Sequence, residues 1–205
     1  MPQHRPEMPF REAVAQPIAA EIAAISDINM AFLRVLTHPE TRGLPGLLGL
    51  DGAVLEALHL LDESQLRKVA LSPVLLAEFN TIPGVSQPVG VAEATSPVAV
   101  VGERWDREVN RFADRLLTCL WQSARHDPLL AAFCIGFDTN KCRELASLTF
   151  SKISRCSGHA AACLQARLGS HPRFWQDLIR TVRTGSSAQQ TASQLAGIQL
   201  SVLKH

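Results

Sequence analysis

Four arginines, Arg104, Arg107, Arg111 and Arg115, follow one another at spacings of three, four and four, and Lys141, Arg143, Lys152 and Arg155 follow downstream. On a helix the first spacing lines guanidinium groups along one face. The chemistry such a stripe offers is neutralisation of phosphates. A single surface cation is usually just solvated, but here the whole chain is divided by charge. Residues 1–100 hold 6 Lys/Arg against 11 Asp/Glu (−5), residues 101–205 hold 14 against 8 (+6), and from Thr139 onward the ratio is 9 to 2. This division points the second half toward a polyanion or an acidic partner.

The remaining reactive groups suggest no enzyme. The cysteines, at 119, 134, 142, 156 and 163, all lie in the second half without a C-x-x-C pair. Cys156, His159 and Cys163 share a helical face at i, i+3 and i+7, a spacing that a metal site uses. It equally suits small buried groups in a reducing compartment, which is the expectation, with no metal and no cofactor. Gly43, Gly46, Gly49 and Gly52 recur at every third position, but no Gly-Lys-Ser/Thr follows to make a phosphate loop. Gly-x-Ser-x-Gly, His-Glu-x-x-His and Rossmann patterns are missing as well, and His126-Asp127 before Pro128 reads as a helix end. No catalytic residue is assigned.

The elements that must position these groups read as helices throughout. Residues 1–12 are expected to be a loose tail. Pro17 suits a helix start, and Ile18, Ile22, Ile25, Ile28, Phe32 and Leu36 follow at helical spacing until His38-Pro39 ends the run. The Gly-rich stretch reads as a Leu-rich turn or a short helix ending at Gly49. Asp51 is placed to cap a helix through Leu58 and Leu61, and Asp62 or Ser64 to cap another through Leu66 and Val69. Residues 74–79 fit a helix or a strand. Residues 80–102 have the Pro/Gly composition of a linker, with a short extended segment at 98–101.

Trp105, Val109, Phe112, Leu116 and Leu120 then make an amphipathic helix that carries the arginine stripe. Asp138 and then Thr149 or Ser151 are expected to cap the next two helices, and Phe174, Trp175, Leu178, Ile179 and Val182 to line another. Trp105 and Trp175 suit interface anchors or buried core, and burial is the expectation. The apolar stripe of the first half, at Val54, Leu58, Leu61, Leu66 and Val69, is expected to be core. The Ser/Gln-rich segment 185–205 suits a helix that packs only on a partner. Alternating β-branched runs are scarce, so the expected class is all-α. No apolar run nears the roughly 18 residues of a membrane span, and the N-terminus lacks a signal-peptide core, so the expected compartment is the cytoplasm.

The elements come twice. Leu48-Gly49-Leu50-Asp51, followed by Leu58, Leu61, Leu66 and Val69, recurs 87 positions later as Ile135-Gly136-Phe137-Asp138, then Leu145, Leu148, Ile153 and Cys156. The expected organisation is therefore an acidic unit over residues 13–79, the linker, and a basic unit over residues 103–184. The skeleton Leu48, Gly49, Leu50, Asp51, Leu58, Leu61, Gln65, Leu66, Lys68, Val69, Ala70 resembles FlhD, the D subunit of the flagellar master transcriptional activator. Ser26-Asp27-Ile28-Asn29-Met30-Ala31-Phe32-Leu33 is similar to that family's first helix. The resemblance covers residues 20–79 and, more weakly, 105–165.

It implies a helical, dimer-forming subunit that joins a zinc-containing FlhC-like partner in a hetero-oligomer and activates transcription from promoter DNA, of flagellar or conjugative-transfer genes. Two such units in one chain would form a covalent pseudo-dimer. The family's intersubunit cysteine falls near Ala77 in the first unit and beside Cys163 in the second, so the matching pair of thiols is missing. The partner's four-cysteine zinc element is also missing, which argues against a fusion of both subunits. On this reading the DNA contacts are Arg104, Arg107, Arg111, Arg115, Lys141, Arg143, Lys152 and Arg155, with bases met near the start of the later short helix. The alternative is a non-DNA-binding adaptor or anti-activator that holds a regulatory partner through its helical faces.

Overall fold

In a computed structural model, residues 10–81, 101–135, 139–171, 173–185 and 199 are described, those at 10–22, 130 and 133–135 by their backbone alone. The fold is mainly α-helical. Helix α1 (Phe10–Leu36) begins well before Pro17, inside the stretch expected to be a tail. Glu12, Ala13, Ala15 and Gln16 are good helix formers, and they extend the helix ahead of Pro17, which lacks the N–H for one backbone hydrogen bond. A 3-10 turn (Pro39–Thr41) follows, as the proline at its first position favours.

The Gly-rich stretch is a hairpin rather than a helix. Strands β1 (Gly46–Leu47) and β2 (Leu50–Asp51) pair antiparallel around Leu48 and Gly49, whose φ values of 49° and 83° give a two-residue turn with both central residues left-handed. Asp51 then caps α2 (Gly52–His59), accepting from the Val54 N–H at 2.8 Å. Asp62, not Ser64, caps α3 (Glu63–Ala70) in a reciprocal capping box with Gln65. Residues 74–79 cross the protein in extended form and end in β3 (Ala77–Phe79).

That crossing is secured by a single buried amide. The Asn29 Nδ2 donates to the carbonyls of Ala70, Ser72 and Val74 at 3.2, 3.2 and 3.0 Å, and its Oδ1 accepts from the Leu76 N–H at 2.8 Å. The side chain is wholly buried, so it replaces the water that a departing chain would otherwise need.

The second half opens with α4 (Glu103–His126), followed by α5 (Pro128–Ile135), α6 (Thr139–Ser147) and α7 (Phe150–Ala160). Thr149, not Ser151, caps α7 through the Lys152 N–H. Asp138 lies outside the described residues. A 3-10 turn (Ala161–Cys163) leads to β4 (Leu164–Ala166) and, after a turn, to α8 (Phe174–Thr184). Helices α5, α6 and α7 all pack against α4, and α8 crosses to pack on α2 and α3 of the first half.

Starts 87 positions apart match for α2 and α6, α3 and α7, and β3 and β4. Residues 46–48 lie in the hairpin, while their counterparts at 133–135 end α5; residues 136–138 lie outside the described residues. The cause is local. Residues 128–135 carry no glycine after the opening proline, whereas their counterparts 41–48 hold Gly43, Pro45 and Gly46.

One core spans both halves. Phe32 of α1 and Phe112 of α4 stack with ring centroids 5.3 Å apart, and Ile28, Leu36, Leu58, Leu116, Leu120 and Ile179 belong to the same buried cluster. Trp105 and Trp175 are buried, at 0% and 2% exposure. Their indole N–H groups donate to the Val35 and Arg167 carbonyls, so both are core anchors with satisfied polar ends rather than exposed contacts. The linker lies mostly outside the described residues, as does the segment 185–205 apart from positions 185 and 199. Among the described residues no helix is long and apolar enough to cross a membrane.

Candidate nucleic-acid interface

Helix α4 buries Trp105, Val109, Phe112, Ala113, Leu116, Leu117, Leu120, Trp121 and Ala124. That stripe leaves Arg104, Arg107, Arg111 and Arg115 together on the opposite face, all exposed. Their spacing, which is the helical repeat, is the reason. Arg111 reaches back to Glu108 at 3.0 Å across one turn, an exposed pair that leaves most of the guanidinium available.

Arg115 closes this stripe and lines a cleft of about 830 Å³ between α1, α3 and α4, where Arg34, Arg67 and Lys68 of the first half also converge. Glu63 partly balances them, lying 3.0 Å from Arg34 and 3.5 Å from Arg67. Beyond the stripe, Arg125 stands in the last turn of the helix, its guanidinium 5.0 Å from the centre of the Trp121 ring. Trp121 carries Phe150 against its ring at 6.1 Å and donates its indole N–H to the Leu148 carbonyl at 2.9 Å. The end of α4 is thereby joined to the first turn of α7.

Lys141 and Arg143 are exposed on α6, and Arg143 is held by the Asn140 amide oxygen at 3.1 Å. Lys152 and Arg155 are exposed on α7, and Arg155 Nε donates to the Ser151 carbonyl at 3.3 Å. Both helices rest on α4 and make little contact with one another. The two helices therefore share α4 as a platform.

Sequence spacing missed Arg125 and Phe150, along with the cations of the cleft. For Phe150 a signal existed: 87 positions earlier stands Glu63, so one copy begins its helix with a carboxylate and the other with an aromatic ring. Among the described residues no three His, Cys, Asp or Glu side chains gather as metal ligands. The Cys163 Sγ accepts from the Thr81 hydroxyl at 3.4 Å, and burial pushes the Cys156 thiol above its ordinary pKa, with Arg155 opposing. A thiol so shifted is the less reactive for it.

The halves themselves join in one further place. Strands β3 and β4 pair antiparallel with Ala77 opposite Ala166, Glu78 opposite Gln165 and Phe79 opposite Leu164. The central pair is 87 residues apart, and Gln165 Nε2 donates to Glu78 Oε1 at 2.8 Å. On either side, the Asn80 N–H donates to the Cys163 carbonyl at 2.9 Å and the Arg167 N–H to the Leu76 carbonyl at 2.8 Å. Moving each partner of the first bond to its counterpart in the other copy gives the second bond, reversed. The chain matches no protein-family profile, no curated protein and no solved structure.

Proposed function

We propose that this chain is a transcriptional regulator: a tandem FlhD-like subunit, folded as a covalent pseudo-dimer, that assembles with a FlhC-like zinc-containing subunit and binds promoter DNA. The observation that carries the pseudo-dimer is the β3–β4 ribbon, in which the 87-residue shift maps the central pair Glu78–Gln165 onto itself and exchanges Ala77–Ala166 with Phe79–Leu164. Such self-complementary pairing is what a two-fold interface between identical subunits produces. The same bond pattern in two separate chains would define a homodimer.

The DNA-binding part rests on charge and exposure. Arg104, Arg107, Arg111 and Arg115 form one outward stripe, with Arg125 further along the helix, while Lys141, Arg143, Lys152 and Arg155 stand exposed on α6 and α7. Phosphate contacts of this kind fix the placement of a protein on a duplex without reading sequence. Protein contacts have exposed leucines in both halves: Leu60 and Leu71, at the ends of α2 and α3, are 68% and 55% exposed, and Leu129 in α5 is 68% exposed. Those leucines also favour the second reading, an adaptor or anti-activator that uses helical faces and never touches DNA.

Duplex affinity measured at two salt concentrations separates the readings. Deleting a half is unsuitable because both share one core, so the four stripe arginines are replaced by alanine in the full chain. Binding is expected to weaken, and the slope of log affinity against log salt to flatten by about 0.9 for each phosphate that is no longer neutralised. An unchanged slope removes the stripe from the DNA surface, and wild-type protein that binds no duplex at either salt, with or without a co-expressed FlhC-like subunit, leaves the adaptor.

A further inference from the structure

Resting on that DNA-binding reading, we infer that the outer face of α7 enters a DNA groove and that Phe150, at its first position, reads the duplex by apolar contact with a thymine 5-methyl group.

Phe150 is 65% exposed, an unusual position for a phenylalanine at a helix start. It is nevertheless held: its ring rests against Trp121, which is only 7% exposed and is fixed by its own bond to Leu148. A supported ring loses little freedom on binding, which is what a contact residue needs. Beside the exposed Arg155, the outer face of α7 carries Ser151, Ser154 and, one turn on, Gly158, where an added side chain would meet nothing within 4 Å, with the exposed His159 and Lys152 farther round the helix. The helix thus presents a low strip between the Phe150 ring and Arg155, and Arg125 stands on the Trp121 ring that supports Phe150. Residues 150–160 contain no Asp or Glu.

Charge selects the partner. An exposed aromatic ring on a helix that carries Lys152 and Arg155 and no carboxylate suits a polyanion with apolar groups within reach, and a duplex displays thymine methyls along the floor of its major groove. The first copy of the repeat is the internal comparison. There Glu63 occupies the position of Phe150 and is tied to Arg34 and Arg67, so α3 begins with an ion-paired carboxylate and offers no apolar ring to a base.

The test uses the full-length chain and duplexes that it selects from a random-sequence pool. Phe150→Ala is expected to lose about tenfold in affinity for the selected duplex, with its salt slope unchanged. Lys152→Ala with Arg155→Ala is expected to flatten the slope instead. Uracil in place of thymine is expected to cost the wild type about fourfold, the worth of one buried methyl group, and to cost Phe150→Ala nothing. Phe150→Leu keeps an apolar side chain and is expected to recover most of the affinity; circular dichroism of both variants checks their fold. If the wild type selects a duplex and Phe150→Ala binds it equally well, this inference is overturned while the DNA-binding reading stands. Failure of the wild type to select or bind any duplex overturns both.

Discussion

The two halves use equivalent helices to opposite ends. In the first, α3 begins with Glu63, clamped by Arg34 and Arg67, and the chain leaves that helix along a path held by Asn29. In the second, α7 begins with an exposed phenylalanine, and every buried position of α4 is aliphatic or aromatic. The first helix uses its opening residue for ion pairs within its own half, and the second leaves an apolar ring in solvent. Two helices of matching position can differ in this way because the apolar positions preserve the packing while exposed positions are free to change.

The sharpest way to break this comparison is at Asn29. Asn29→Leu strands three carbonyls and the Leu76 N–H in a dry interior, and a loss of about 3 to 5 kcal/mol in urea unfolding is expected. A loss below about 1 kcal/mol would mean that apolar packing alone holds the crossing.

A smaller effect tests how the halves touch. Gly169 lies so close to the first half's hairpin that an added Cβ would sit 2.6 Å from the Gly49 carbonyl oxygen, beside the bond from the Ala166 N–H to the Leu48 carbonyl. Gly169→Ala is expected to cost about 2 kcal/mol by pushing the turn off the hairpin. Unchanged thermal unfolding would show that the hairpin is not a firm seat for the second half.

The smallest effect is an acid sensitivity confined to the first half. Burial, aided by Arg42 and opposed by Glu56, holds the His59 imidazole below its ordinary pKa. The Thr41 hydroxyl gives its one proton to a carbonyl, either Leu36 or His38 at 2.7 Å, so it accepts from a neutral His59 Nε2–H at 3.0 Å. A folded-state pKa below the unfolded value means that the stabilisation is complete above the unfolded value, about 6.5, and is lost as pH falls through the folded one. Stability between pH 7 and 5 is expected to fall more in the wild type than in His59→Gln. The second half has Ala146 at the matching position and no such group there. Equal pH profiles would place the acid sensitivity elsewhere.

Much of the fold was legible from local chemistry. The α2 and α6 pair, the caps at Asp51, Asp62 and Thr149, the amphipathic α4 and the buried face of α8 follow from spacing and capping residues, which act within one or two turns. The hairpin at Leu48 and Gly49 was not legible, because the same leucine spacing serves a short helix and only the left-handed turn distinguishes them. Of the candidate interface, the arginine stripe was readable as helical periodicity. The Phe150, Trp121 and Arg125 cluster was not, since it joins two helices whose approach depends on packing.

The sequence by itself determined the mainly helical class, the 87-residue spacing of α2 from α6 and of α3 from α7, and the charge division, because each is carried by residue types at short range. Tertiary structure alone decided that Glu78 meets Gln165, that Asn29 holds a strand more than forty residues away, and that α8 closes over the first half rather than its own. Those outcomes depend on which buried groups remain to be satisfied once the core has formed, and no local propensity encodes them.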